Sequence, residues 1–161
     1  MGLFSKKKKE TKQTPAPAPA RHVETASFKV AGISNYGEAI KALSEGQENA
    51  WFTATKKELK ENYMLDEKIY QYDFAIRKTE LIPEPDNPHD KNAIKVIMDQ
   101  ELVGYVPKTK CKAIKEILDT KEIKLMTGEI YGGKYKCVSD DDIEKGETEY
   151  GAMVQIVYYI E

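Results

Sequence analysis

The sequence predicts a mainly β domain with two or three short helices, arranged as a small antiparallel barrel or sandwich. Three observations lead there. Apolar and polar residues alternate in KIYQYDFAIRK (68–78) and AIKVIM (93–98), a period of 2 rather than 3.6, and AMVQIVYYI (152–160) is rich in β-branched and aromatic residues. Turn-forming residues separate these runs: Pro85 and Pro88, Asp99-Gln100 and Gly132-Gly133. Helical segments do not alternate regularly with strands, so a parallel βαβ sheet is not expected.

The elements follow in order. KKKKETKQTPAPAPA reads as part of a basic, disordered leader over residues 1–26, in which Lys6 to Lys9 repel one another and the Pro-Ala alternation favours an extended spacer. The ordered domain is expected over 27–161. Phe28, Val30 and Ile33 suggest a first strand, with Gly32 a bulge or point of close approach. Tyr36 to Leu43 has helical spacing and ends at Gly46. TKKE at 55–58 has the form of a capping box, opening a helix with Leu59, Tyr63 and Met64 on one face.

In the next strand Tyr70, Tyr72, Phe74 and Ile76 share a face, and TELIPE continues it to Pro83. The strand period makes the tyrosines core residues rather than a stacking platform. Asp99-Gln100 makes a hairpin between Ile94–Met98 and LVGYV. Thr109 caps a helix whose stripe is Ala113, Ile114, Ile117 and Leu118. IKLMTGEIY and KYKCV form an antiparallel pair turned at Gly132-Gly133, VSDDDIEKGETEYG is a polar loop, and AMVQIVYYI is the last strand.

Charge is unevenly spread along the 161 residues, whose formal net charge is −2. Residues 1–21 carry six Lys/Arg against one Glu, leaving 19 basic and 26 acidic residues, about −7, for the remainder. Non-specific attraction to phosphates needs a basic domain, so nucleic-acid binding here rests on a local site. MGLFSK places Lys6 where a myristoylation signal needs Ser or Thr, and no apolar signal region or membrane span is present. With two cysteines, Cys111 and Cys137, no disulfide framework is expected, and the reading is a cytoplasmic protein.

One stretch stands out. In EPDNPHDKNAIKV (84–96), Pro85 and Pro88 fix φ and remove donors, so the segment cannot be a central strand. Asp86, Asn87 and Asp90 can each accept from backbone N–H groups just ahead, folding the loop on itself. A rigid, self-capped turn needs no further function. Yet the following hairpin ends in GYVPK, which brings Tyr105 and Lys108 into the neighbourhood of Asp90. A carboxylate for a hydroxyl, a ring for stacking and a lysine for phosphate are the components of a single-strand end site.

These residues resemble a known family. EPDNPHDKNAIKV followed by VGYVPK is similar to the signature of the HIRAN domain, most closely over 81–108 and more loosely over about 28–135. The resemblance implies an OB-like antiparallel β-barrel and, from eukaryotic members, recognition of the 3′-hydroxyl end of single-stranded DNA. By position, Asp90 would accept from the terminal hydroxyl and Asn87 would hold the loop. His89 and Tyr105 would flank the terminal nucleotide, and Lys108 would meet a phosphate. After the first strand, where DNA-binding members place a basic residue and an aromatic, this chain has Ser34 and Asn35 and reaches an aromatic only at Tyr36. An insertion of the family pattern is expected at about 46–75.

The expected function is therefore a non-catalytic module that binds single-stranded DNA 3′ ends, in DNA repair or processing. The alternative is a protein-interaction barrel that has kept the fold and lost DNA binding. No cofactor is expected: there is no phosphate-binding loop, nucleophile elbow or dinucleotide fingerprint. His22 and His89 lie far apart and the cysteines lack metal-ligand spacing, which argues against zinc. Asp140, Asp141, Asp142 and Glu144 do not have the spacing of a calcium loop and read as a solvated acidic loop.

Overall fold

The computed structural model describes residues 20–160. Seven strands and three α-helices follow one another: β1 (Val23–Lys29), α1 (Gly37–Ser44), α2 (Lys56–Asn62), β2 (Lys68–Ile76), β3 (Thr79–Pro83), β4 (Ile94–Met98), β5 (Glu101–Tyr105), α3 (Lys108–Thr120), β6 (Glu122–Val138) and β7 (Ile143–Tyr159). Two 3-10 turns, Ile33–Tyr36 and Ala50–Thr53, precede α1 and α2. The mainly β class with short helices holds. The strands form two antiparallel sheets, ordered β1-β7-β6-β2 and β3-β4-β5, rather than one closed barrel.

Residues 1–19 of the expected leader lie outside the described residues, and β1 begins at Val23, four positions before the expected start. Every residue from Val23 to Lys29 has a partner on β7. The polar residues Glu24, Thr25 and Ser27 concealed this strand because β1 has the sheet on one side only.

The largest departure is at Gly132-Gly133. IKLMTGEIY and KYKCV are not a hairpin but one 17-residue strand, β6. The glycines, at φ 110° and 77°, bend it. Tyr72 stays paired with Gly132 on one side and Thr148 with Gly133 on the other, and the register of both pairings shifts here. A Cβ on Gly132 would lie 2.4 Å from the Glu149 carbonyl oxygen, so the bend admits no larger residue. Most of the segment expected as a polar loop is the first half of β7, which runs from Ile143; only Ser139–Asp142 forms the turn. Its charges suit strands that project beyond the main core.

The bulge between Tyr70 and Tyr72 also breaks the single-face reading of β2. Phe74 and Ile76 join the main core, whereas Ile69 packs with Leu59 and Val138 in a second, smaller cluster. Tyr70 and Tyr72 are half-buried, Tyr70 against Tyr131 and Tyr135, Tyr72 against Tyr150. The chain turns after Ile76, so TELIP is not a continuation of β2 but β3 of the other sheet.

Ile94, Val96 and Met98 from β4 are fully buried against Ile130, Val154 and Ile156 of the larger sheet. Burial of each such side chain contributes about 1.5–3 kcal/mol. The β4–β5 hairpin turns at Asp99 and Gln100, both at positive φ, the geometry that matches strand twist.

Helix α1 buries Ile40, and α2 carries the complete capping box: Thr55 Oγ1 accepts from the Glu58 N–H and Glu58 accepts from the Thr55 N–H. Leu59 is buried, but Met64 lies past the helix and is 75% exposed. In α3 the N-cap is Pro107 rather than Thr109, and no side chain caps it. The buried stripe is Cys111 and Ile114, with Ile117 and Leu118 half-buried; Ala113 is exposed.

Candidate nucleic-acid interface

Two backbone crossings bring the site together. After β1, Val30 donates to Ala152 of β7, and Ala31 then pairs with Tyr105 at the end of β5. The same two residues thus tie the larger sheet to the smaller one. Gly104 makes the approach possible. Its φ is +154°, and a Cβ there would lie 2.4 Å from the Ala31 carbonyl oxygen and 2.6 Å from Val30 Cγ1. Gly32 follows in the left-handed conformation at φ 74°, turning the chain into the 3-10 turn that ends at Tyr36.

The loop between β3 and β4 is held by its own side chains. Asn87 Oδ1 accepts from the backbone N–H of His89 (2.8 Å) and of Asp90 (3.0 Å). Asn87 Nδ2 donates to Glu84 Oε1 at 2.7 Å. Asp90 Oδ1 accepts from the Asn92 N–H at 2.9 Å, which fixes the carboxylate and leaves its other oxygen without a donor among the described residues. Asp86 contributes no such bond. Backbone bonds from Glu84 N to Ala93 O and from Ala93 N to Asp90 O close the loop.

The six residues singled out from the sequence, Tyr36, Asn87, His89, Asp90, Tyr105 and Lys108, line one cavity of about 360 Å³. Ala31, Gly32, Ala93 and Val106 complete it. A cavity this size falls in the lower range of small-ligand sites. Its walls differ in chemistry. Asn87 and Asp90 form a polar wall, the Tyr36 and Tyr105 rings lie 6.4 Å apart at 49°, and Lys108 is exposed at the opening of α3. His89 is exposed on the loop.

Glu84 is the residue that sequence reasoning passed over. It opens the quoted stretch, yet only its neighbours were assigned roles. Its Oε1 takes Asn87 Nδ2 and, at 3.4 Å, the Tyr105 hydroxyl, while Oε2 lies 3.5 Å from Lys95 Nζ. Its spacing of three from Asn87, as in a turn, was the available signal. Burial, helped by Tyr36 and the Glu84 carboxylate, pushes the Tyr105 hydroxyl up to about 12, so it stays a neutral donor. Beneath the site, burial and the Asp90 carboxylate push the Cys111 thiol up, and its Sγ lies 3.6 Å from the Val106 carbonyl oxygen.

The arrangement can accept a hydrogen bond from a hydroxyl, offer two rings to a flat group and place one cation at the mouth. Among the described residues no three His, Cys, Asp or Glu side chains gather as a metal site, and no helix is long and apolar enough to cross a membrane. Comparison with curated proteins and with solved structures yields no match. The family model described as HIRAN domain matches residues 74–143, a span that contains every assigned cavity residue except Tyr36. Residues 74–143 are therefore assigned to the HIRAN domain, a family of DNA-binding modules.

Proposed function

We propose that the cavity between the Asn87–Asp90 loop and Tyr105 receives the free 3′ end of single-stranded DNA, and that the chain acts in DNA repair or processing without catalysing a reaction. The observation that carries this reading is the convergence of a loop-fixed carboxylate, two rings and a lysine on one cavity. Asp90 takes the terminal hydroxyl through its unengaged oxygen. Tyr36 and Tyr105 border the last nucleotide, with His89 beside it. Asn87 holds the loop rather than the ligand, and Lys108 meets the phosphate.

A 3′-phosphate in place of the hydroxyl would set a dianion against Asp90, so the pocket selects ends by repulsion as well as by hydrogen bonding. The domain's acidic balance forfeits long-range attraction, leaving stacking, about 1–3 kcal/mol per base, and end contacts to supply the affinity. Fluorescence anisotropy with short single-stranded oligonucleotides at low salt tests this. Tighter binding of the 3′-hydroxyl form, with the preference lost in Asp90→Ala, is expected. Equal binding of both ends by the unsubstituted chain would overturn the reading. No binding at all would assign the domain to a protein partner instead.

A further inference from the structure

A second polar cavity lies at the far end of the β6–β7 hairpin, where the segment before β2 packs on it. It measures about 300 Å³ and is lined by Ala54, Lys56, Leu59, Lys136, Asp142, Ile143 and Lys145. Three lysines and one aspartate share it, in a domain that is otherwise acidic. The aspartate is already engaged: Asp142 Oδ1 lies 3.0 Å from Lys56 Nζ.

The other two lysines have no such relief. Lys136 and Lys145 stand directly opposite each other on β6 and β7. Like charges opposite one another destabilise a strand pair. The next pair along the same face is Lys134 with Glu147, the compensated arrangement. Neither Lys136 nor Lys145 has a carboxylate partner among the described residues. Lys136 is half-buried, and its Nζ donates to the Phe52 carbonyl and lies 4.8 Å from the Phe52 ring centre. That fixes an ammonium whose charge the protein leaves unneutralised. Beside Phe52, Trp51 is 41% exposed and held edge-on to Tyr63 at 5.6 Å.

From this geometry we infer that the cavity binds a phosphate group, with Lys136 and Lys145 as its ligands and Lys56 as a third cation at the edge. A phosphate between the opposed lysines turns a repulsive pair into two charge-assisted hydrogen bonds. A phosphodiester of single-stranded DNA is the source favoured here, because the exposed Trp51 ring gives an adjoining base a stacking surface. The site is separate from the Asp90 cavity and shares no lining residue with it.

The chain's single tryptophan makes the test local. Trp51 emission is followed while a short oligodeoxynucleotide, or inorganic phosphate alone, is titrated into the full chain, Lys145→Glu and Lys136→Met. Lys124→Ala serves as the control for loss of a lysine elsewhere. Lys145 is exposed, so its substitution leaves the fold intact, and Lys136→Met keeps the apolar stem. The expected result is an emission change on oligonucleotide binding that both variants weaken, by about tenfold in affinity for Lys145→Glu, with the salt slope lowered by about 1 for each lysine lost. The preference for a 3′-hydroxyl should be untouched, and loss of that preference in Asp90→Ala should leave the Trp51 signal in place. Emission that responds to inorganic phosphate but not to oligonucleotide, and only with both lysines present, keeps the phosphate site and assigns it to a free phosphate. Titrations in which both variants match the unsubstituted chain for both probes overturn the inference.

Discussion

Ala31 and Tyr105 exchange both backbone hydrogen bonds, at 2.8 Å and 3.0 Å, although neither sheet counts this pair among its ladders. Through it the segment after β1 is clamped to the end of β5, and the rings of Tyr36 and Tyr105 are brought together on the cavity wall, tilted at 49°. The site is therefore built on a junction between sheets. Anything that opens the junction should disturb stability and binding together.

Gly104→Ala tests the junction. A methyl group would collide with the Ala31 carbonyl oxygen and with Val30, in a conformation that L residues avoid. The expected cost is about 1–3 kcal/mol from strain, or more if the crossing separates. Thermal unfolding should show a fall of several degrees. An unchanged midpoint would mean that the crossing is not held as described.

Asn87→Ala removes three hydrogen bonds at once, two to backbone N–H groups and one to Glu84. At about 0.5–1.5 kcal/mol net for each, the loop should lose roughly 1.5–4.5 kcal/mol of local order. Hydrogen exchange at the His89 and Asp90 amides reads this directly, and faster exchange is expected with little change in global stability. Unaltered protection would show that Pro85 and Pro88 fix the loop unaided.

Tyr105 should report on pH. Its folded value is raised to about 12 from the ordinary 10, chiefly by burial. A raised acid favours the neutral side chain in the fold. Its contribution is therefore fully present below the ordinary tyrosine value and is lost as pH rises through the folded one. Ultraviolet titration should show a late phenolate that Tyr105→Phe deletes. A titration whose late phase survives that substitution would assign the high value elsewhere.

Leu59→Ala should act on the smaller cluster alone. Leu59, Ile69 and Val138 pack apart from the main core. Truncating a fully buried leucine costs about 2–5 kcal/mol. Hydrogen exchange should rise in α2 and the distal β6–β7 hairpin while β4 and β5 stay protected. Uniform loss of protection would show that the two clusters unfold as one unit.

How far the chain was legible follows from which forces are local. The capping box at Thr55 and the turn at Asp99-Gln100 depend on neighbouring residues, and both formed as read. Cavity residues from three separate stretches were grouped by a family resemblance together with their chemistry, and they share one cavity. Gly132-Gly133 misled because a pair of glycines fits a turn and a bulge equally well; only the strands on both sides of β6 decide it. Charged residues in Ile143–Tyr150 looked like a loop because strands beyond the core have little to bury. Glu84 was overlooked because two of its three partners, Lys95 and Tyr105, come from β4 and β5 and not from its own turn.

The pairing of β1 with β7 has a consequence for how the chain reaches this state. Val23 meets Tyr159, so the first strand has no neighbour until the last one exists. Joining ends so distant costs on the order of 4 kcal/mol in loop entropy before any contact repays it. The β6–β7 and β4–β5 hairpins can form from adjacent residues, and the first strand must arrive late. Since the Ala31 crossing follows directly from β1, the cavity beside Asp90 and Tyr105 is among the last features to be completed, and a nascent chain lacking its final strand should have a β4–β5 hairpin but no cavity.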